Sequence, residues 1–170
     1  ETPIYKKSTV LYGLDIARKE IAKRQQVVVV EGYTDVMACH LAGIPTAVAT
    51  CGTAFGVDHI KVLRRLLLDA ENANSEVVFT FDGDAAGRKA ALRAFEDDQK
   101  FVAKTFVAVE PNGLDPCDLR IKEGDAALAH LIASKVPMFE FAIKSTLKDL
   151  DLNTAEAVSY THLTLPTILL

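Results

Sequence analysis

A chain of 170 residues, 49% hydrophobic and 25% charged, has room for one domain with a genuine core and the composition of a soluble globular protein. No apolar run approaches the roughly 18 residues that a membrane helix needs, so a membrane is not an expected partner. The formal net charge of −4 argues against a stand-alone nucleic-acid binder, unless the acids gather where a cation neutralises them.

In chain order, residues 1–9 read as extended and polar. Leu11, Leu14, Ile16 and Ile21 then mark an irregular amphipathic helix ending near Arg24 and Gln25. Val27 to Val30 make a first strand over about 26–31. Thr34 and Asp35 are positioned to cap a helix over 36–42, closed by Gly43. A short second strand covers 46–49, and 51–56 is a turn. Asp58 opens a helix with Ile60, Leu63, Leu66 and Leu67 on one face. The third strand is 76–81, followed by a helix over 84–97 and a fourth strand over 101–109. Turn chemistry around Asn112 and Gly113 precedes two short helices, 117–133 with a break at Gly124, and 137–149. This rhythm predicts an α/β fold: a mostly parallel central sheet of about four strands flanked by helices, with a short helical C-terminal extension.

Two of these strands run into acids. Val30 is followed by Glu31, with Asp35 four residues on, and Phe81 is followed by Asp82-Gly83-Asp84. Continuous β-branched runs are the mark of central parallel strands. Ligands in such sheets bind beyond the carboxyl ends of the strands. Each cluster has a plain reading on its own, since Asp-Gly is turn chemistry and Asp84 or Asp35 could simply cap a helix. Together they place several carboxylates at one edge, where they repel one another unless a divalent cation is present. An all-oxygen donor set of this kind suits Mg²⁺, with Mn²⁺ as its substitute. A third acidic segment, Asp115-Pro116-Cys117-Asp118, follows the fourth strand, with Pro116 stiffening the turn.

Other chemistry is sparser. Gly52-Thr53-Ala54-Phe55-Gly56 lacks the ending of a P-loop, yet Thr53 and the neighbouring amides could meet a phosphate at a helix start. Arg88, one turn after the acid pair, could face a phosphate or solvent. No G-x-S-x-G elbow occurs. His40 and His59 fall on helices, in surface or partly buried roles. The three cysteines, Cys39, Cys51 and Cys117, are odd in number with no C-x-x-C spacing, and no histidine joins a zinc-type cluster. A reducing cytoplasm is the expected compartment.

The strings Glu31-Gly32-Tyr33-Thr34-Asp35-Val36 and Asp82-Gly83-Asp84-Ala85-Ala86-Gly87-Arg88 resemble the TOPRIM domain of primases, topoisomerases and some nucleases. Leu11-Tyr12-Gly13-Leu14, Gly52-Thr53-Ala54 and Lys122-Glu123-Gly124 make the resemblance closest to the bacterial DnaG-type primases, over roughly residues 1–156. The resemblance implies a division into an N-terminal segment and helix (1–25), a TOPRIM domain (26–134) and the start of a helical subdomain (135–157). The tail 158–170 is similar to a translated library-adapter sequence, the alternative being a genuine apolar C-terminal segment, and on either reading it carries no expectation of fold or function. The chain opens at Glu1 with neither an initiator Met nor a signal-like segment, so a piece of a longer protein is expected.

The resemblance also implies an activity: DNA-directed RNA polymerisation of the primase type, making short RNA primers for replication. Glu31 corresponds to the family's essential acid and proposed general base, and Asp82 and Asp84 to its principal metal pair. Asp35 and Asp115 complete the acidic edge, while Thr53, Arg88 and Lys122 are the candidates for nucleotide phosphate. Two Mg²⁺ ions would activate the primer hydroxyl and stabilise the leaving oxygens. Implied partners are ribonucleoside triphosphates, a single-stranded DNA template and, through a C-terminal domain that is absent here, the replicative helicase, at a cytoplasmic replication fork. The family's third motif usually reads Asp-Pro-Asp, so Cys117 replaces an acid with a poor Mg²⁺ ligand. The alternatives are a DNA-cleaving TOPRIM module of the topoisomerase or nuclease kind, and a non-catalytic Mg²⁺/nucleotide-binding module.

Overall fold

The computed structural model describes residues 6–50, 52–67, 75–81 and 104–148. Six strands form one sheet: β1 (Leu11–Tyr12), β2 (Gln26–Val30), β3 (Ala47–Thr50), β4 (Glu76–Phe81), β5 (Lys104–Val109) and β6 (Val136–Pro137). Their spatial order is β1-β3-β2-β4-β5-β6. The four inner strands are parallel, and the two-residue β1 and β6 close the edges in antiparallel fashion. The expected mostly parallel sheet is therefore present, with two short edge strands beyond the four expected. The expected helix over 84–97 lies outside the described residues.

Among the described residues six helices cover the sheet: α1 (Leu14–Arg24), α2 (Tyr33–Leu41), α3 (Val57–Leu67), α4 (Pro116–Glu123), α5 (Asp125–Ala133) and α6 (Met138–Lys148). The valine run of β2 is buried on both faces, which is why it shows no polar alternation. Val27 and Val29 pack in a cluster with Ala17 and Ile21 of α1, Leu63 and Leu67 of α3 and Met138 of α6. Val28 and Val30 join the opposite cluster, with Val36 and Cys39 of α2, Leu119 of α4 and Leu128 of α5. Each buried Val, Leu, Ile or Met among these contributes about 1.5–3 kcal/mol of transfer free energy. No helix among the described residues is long and apolar enough to cross a membrane.

Three local expectations are corrected. Leu11 does not begin a helix; it pairs with Thr50 in β1, and Gly13 at φ +80° separates that strand from α1. An added Cβ at Gly13 would stand 2.8 Å from Cγ1 of Val36, so the turn needs glycine for space as well as for dihedral. Ile16 is exposed, and Ala17 takes the inward position one residue on. Lys7–Thr9, expected to be extended, is a 3-10 turn.

The start of β4 carries a pH-sensitive contact. Glu76 accepts from Nε2 of Gln26 at 3.0 Å and pairs with Nζ of Lys135 at 3.0 Å. Burial raises its pKa, but the Gln26 bond, the Lys135 bond and charge, and the charge of Lys104 outweigh it, holding the carboxyl below the ordinary range. A depressed folded-state pKa stabilises the fold above the unfolded value and loses that contribution as pH falls through the folded one. Glu76→Gln is therefore expected to reduce stability at neutral pH and to flatten its acid-side decline below about pH 4.5. Urea unfolding at a series of pH values measures both.

Candidate metal and nucleotide site

β2 and β4 are adjacent and parallel, in register from Gln26 opposite Glu76 to Val29 opposite Phe79. Their carboxyl ends therefore reach the same edge of the sheet. Glu31 follows β2 directly and is exposed there. In the sequence, the residue after β4 is Asp82; Asp82, Asp84 and Arg88 lie outside the described residues. β5 ends on the same side, with Val109 opposite Phe81.

Asp35 occupies a different environment from Glu31. It lies in the first turn of α2 and is only 4% exposed. Its Oδ2 accepts the Gly32 amide at 2.9 Å, closing the start of α2, and its Oδ1 accepts the Cys117 amide at 3.2 Å. A Cβ on Gly32 would come within 2.9 Å of the same Oδ2, so the glycine after Glu31 makes room for this carboxylate. The expected cap is thus formed by Asp35 from the third helical position, with Gly32 as N-cap residue. Asp35 also joins the turn after β2 to the third acidic segment, 82 residues away.

That third segment is itself built by carboxylates. Asp115 is the N-cap of α4, its Oδ1 accepting the Asp118 amide at 2.6 Å, with Pro116 in the first turn. Glu110, 4% exposed and directly after β5, accepts the amides of Asn112 (2.7 Å) and Leu114 (2.8 Å) and Nδ2 of Asn112 (3.1 Å). Sequence reading saw a turn around Asn112-Gly113 but missed Glu110 as its organiser. An acid immediately after a strand and two residues before Asn-Gly was the available signal.

Burial, with the nearby acids adding to it, raises two thiols. Burial, reinforced by the charge of Asp35, pushes Cys39 up to about 12. Burial also raises Cys117, with Asp115, Asp35 and Asp118 adding to it against the opposing charge of Arg120. Both thiols are therefore held as neutral SH near neutral pH.

The turn after β3 holds the other candidate. Thr53 is half-buried, and its Oγ1 is buried with no hydrogen-bond partner among the described residues. Such a hydroxyl costs about 1–3 kcal/mol unless a ligand satisfies it. The turn is fixed by His59, which is fully buried rather than superficial. Its Nδ1 accepts the Gly56 amide at 3.3 Å, and its Nε2 lies 3.1 Å from the carbonyl of Lys7. These contacts require the neutral tautomer with the proton on Nε2. Phe55 stacks on the ring at 5.5 Å and meets Phe79 edge-on at 5.0 Å. Lys122, the third phosphate candidate, is exposed on the last turn of α4.

Residues 25–110, half of the chain, match the family model of the Toprim domain. The chain belongs to the Toprim family. A DNA primase of Streptomyces coelicolor is 65% identical over 154 residues, which is 91% of this chain and 24% of that protein. The RNA polymerase domain of Mycobacterium tuberculosis primase DnaG, solved with a double-stranded DNA oligomer bearing a 6-nucleotide overhang, superposes with a TM-score of 0.82 at 55% identity. That match covers 98% of this chain and 52% of the solved one. A DnaG primase catalytic domain bound to single-stranded DNA also gives a TM-score of 0.82, at 35% identity, covering 98% and 51%. The Toprim domain here therefore has the fold of the DnaG catalytic core. The chain spans about a quarter of the length of the curated primases it matches. Toprim membership brings a divalent cation with it, and an exposed Glu31 at the end of β2 is an oxygen donor of the type such a cation takes.

Proposed function

We propose that this Toprim domain is the catalytic core of a bacterial primase, a nucleotidyltransferase that makes short RNA primers on single-stranded DNA at the cytoplasmic replication fork. The observation that carries the reading is the convergence of β2 and β4 at one edge. It sets Glu31 beside the strand that leads into Asp82 and Asp84, in a chain 65% identical to a DNA primase.

In this reading Glu31, Asp82 and Asp84 hold Mg²⁺, or Mn²⁺ in its place, and Asp115 extends the acidic edge. When bound, the cation supplies charge neutralisation at the transferred phosphoryl group and lowers the pKa of the attacking hydroxyl. Glu31 accepts the proton of the primer 3′-hydroxyl as that oxygen attacks the α-phosphate of a ribonucleoside triphosphate and pyrophosphate leaves. Asp35, its two oxygens already taking backbone amides, keeps the turn after β2 and the third acidic segment in register. Thr53, whose hydroxyl is buried without a partner among the described residues, Arg88 and Lys122 contact nucleotide phosphates. The helicase is engaged by a further domain of the full-length protein.

The test is a graft. Residues 1–157 replace the matching segment of the Streptomyces coelicolor primase, and the chimera is given a single-stranded template, ribonucleotides and Mg²⁺. Template-dependent primers are expected, with no relaxation or cleavage of supercoiled plasmid. Plasmid cleavage without primers would instead favour a DNA-cleaving Toprim module, and nucleotide binding with neither activity a regulatory one.

A further inference from the structure

Among the described residues, the helices on the two faces of the sheet differ in charge. α1 and α3, packed side by side over one face, carry seven basic side chains and three acidic ones. α2, α4 and α5, over the other, carry two basic and four acidic. The whole chain is at −4, so the α1–α3 layer runs against the overall balance. Two of its three acids are already paired within their own helices, Glu20 with Arg24 at 2.9 Å and Asp58 with Lys61 at 3.0 Å. Arg18, Lys19, Lys23 and Arg65 are exposed. Lys19 and Lys23 stand one turn apart on α1, as do Lys61 and Arg65 on α3, so each helix presents its cations in a row. The acid edge lies at the carboxyl ends of the strands, and these rows lie on the flank of the sheet, outside the proposed chemistry.

We propose that the α1–α3 face binds the phosphate backbone of a nucleic-acid duplex, a proposal that rests on the reading of this chain as a nucleic-acid enzyme. Rows of Lys and Arg on two neighbouring helices match a polyanion, whose binding is driven by counterion release and needs no base contact. The composition of the face selects duplex over single strand. Single-strand binders interleave their cations with aromatic platforms on which bases stack. α1 and α3 have no Phe, Tyr or Trp, and their exposed large apolar residues are Ile16 and Val57. A duplex keeps its bases stacked internally and presents only phosphates to such a surface.

The experiment is fluorescence anisotropy of the 170-residue chain with a labelled 20-base-pair DNA duplex and the matching single strand, between 50 and 200 mM salt. One variant carries Lys19→Gln, Lys23→Gln and Arg65→Gln. A second carries Ala126→Glu, Ala129→Glu and His130→Glu, all exposed on α5, and changes the net charge by the same amount. The first is expected to weaken duplex binding roughly 10- to 100-fold and to reduce the salt slope by about 2–3, near one unit per lost phosphate contact. The second is expected to weaken it less than about 3-fold, the residue of long-range charge alone. Equal losses in both variants, no loss in the first, a loss confined to the single strand, or no measurable duplex binding by the unaltered chain would each overturn the proposal. Primer synthesis by the graft is read separately, so failure of this face leaves the catalytic reading standing, and the reverse.

Discussion

Asp82→Asn, placed in the grafted primase, is expected to lower primer synthesis by at least ~100-fold, because even partners one shell removed from a metal cost 10- to 100-fold. Asn keeps the size and polarity of the side chain while removing the negative charge and half the oxygen donors. β4 pairs with β5 from Glu76 to Phe81 and with β2 from Glu76 to Phe79, and Asp82 is the residue that follows its last member, Phe81. The substitution therefore falls one residue past the last paired position of the strand, Phe81 opposite Val109. Thermal unfolding in EDTA should stay within a few degrees of the parent. With Mg²⁺ present, the parent should gain stability by ligand linkage and the variant should gain less. Synthesis retained at the parental rate would remove Asp82 from the catalytic set. A melt that collapsed in EDTA would make it a structural residue.

Asp35→Ala is expected to destabilise the metal-free protein by about 2–4 kcal/mol, a large part of the 5–15 kcal/mol typical of a domain. The carboxylate is 4% exposed and accepts two backbone amides, from Gly32 and Cys117. Hydrogen bonds to a charged acceptor are worth about 1.5–3 kcal/mol each, reduced here because both donors belong to half-buried residues that water can reach. Asp35→Asn should fall between parent and Ala, since its amide oxygen can still accept one of the two bonds. Urea unfolding in EDTA decides the matter by sign. A carboxylate present only to bind metal repels its neighbours in the metal-free protein, so its removal would leave stability unchanged or raise it. A clear loss in EDTA marks Asp35 as the link between the first and third acidic segments.

The parts of this fold that were legible in the sequence are those with strong local signals. The valine run of β2, the strand β4, the heptad-like apolar face of α3 and the break at Gly124 are each written in a few consecutive residues, and their observed bounds differ from the expected ones by a residue or two. β1 and β6 were not legible, because two residues have no period to detect; they exist through pairing with Thr50 and Val107. Glu31 stood out because an acid after a buried strand has one place to go. For Asp35 the sequence offers two roles, a helix cap and a member of the acidic edge, and the cap to Gly32 is formed. Its amide contact with Cys117 spans 82 residues, and no local pattern announces it. Glu110 and His59 escaped for related reasons, the first hidden by turn chemistry and the second joined to Lys7 across 52 residues.

The sequence by itself determined an α/β sheet, acids directly after its strands and the resemblance to the Toprim domain, because strand patterning and short motifs are local properties. Tertiary structure alone decided which strands are neighbours. It also decided that Asp35 is buried and accepts two backbone amides while Glu31 is exposed, and that the cations of α1 and α3 share one face of a chain whose net charge is negative. Those are relations between distant segments. They are set when both faces of the sheet are buried and the helices are sorted onto one side or the other.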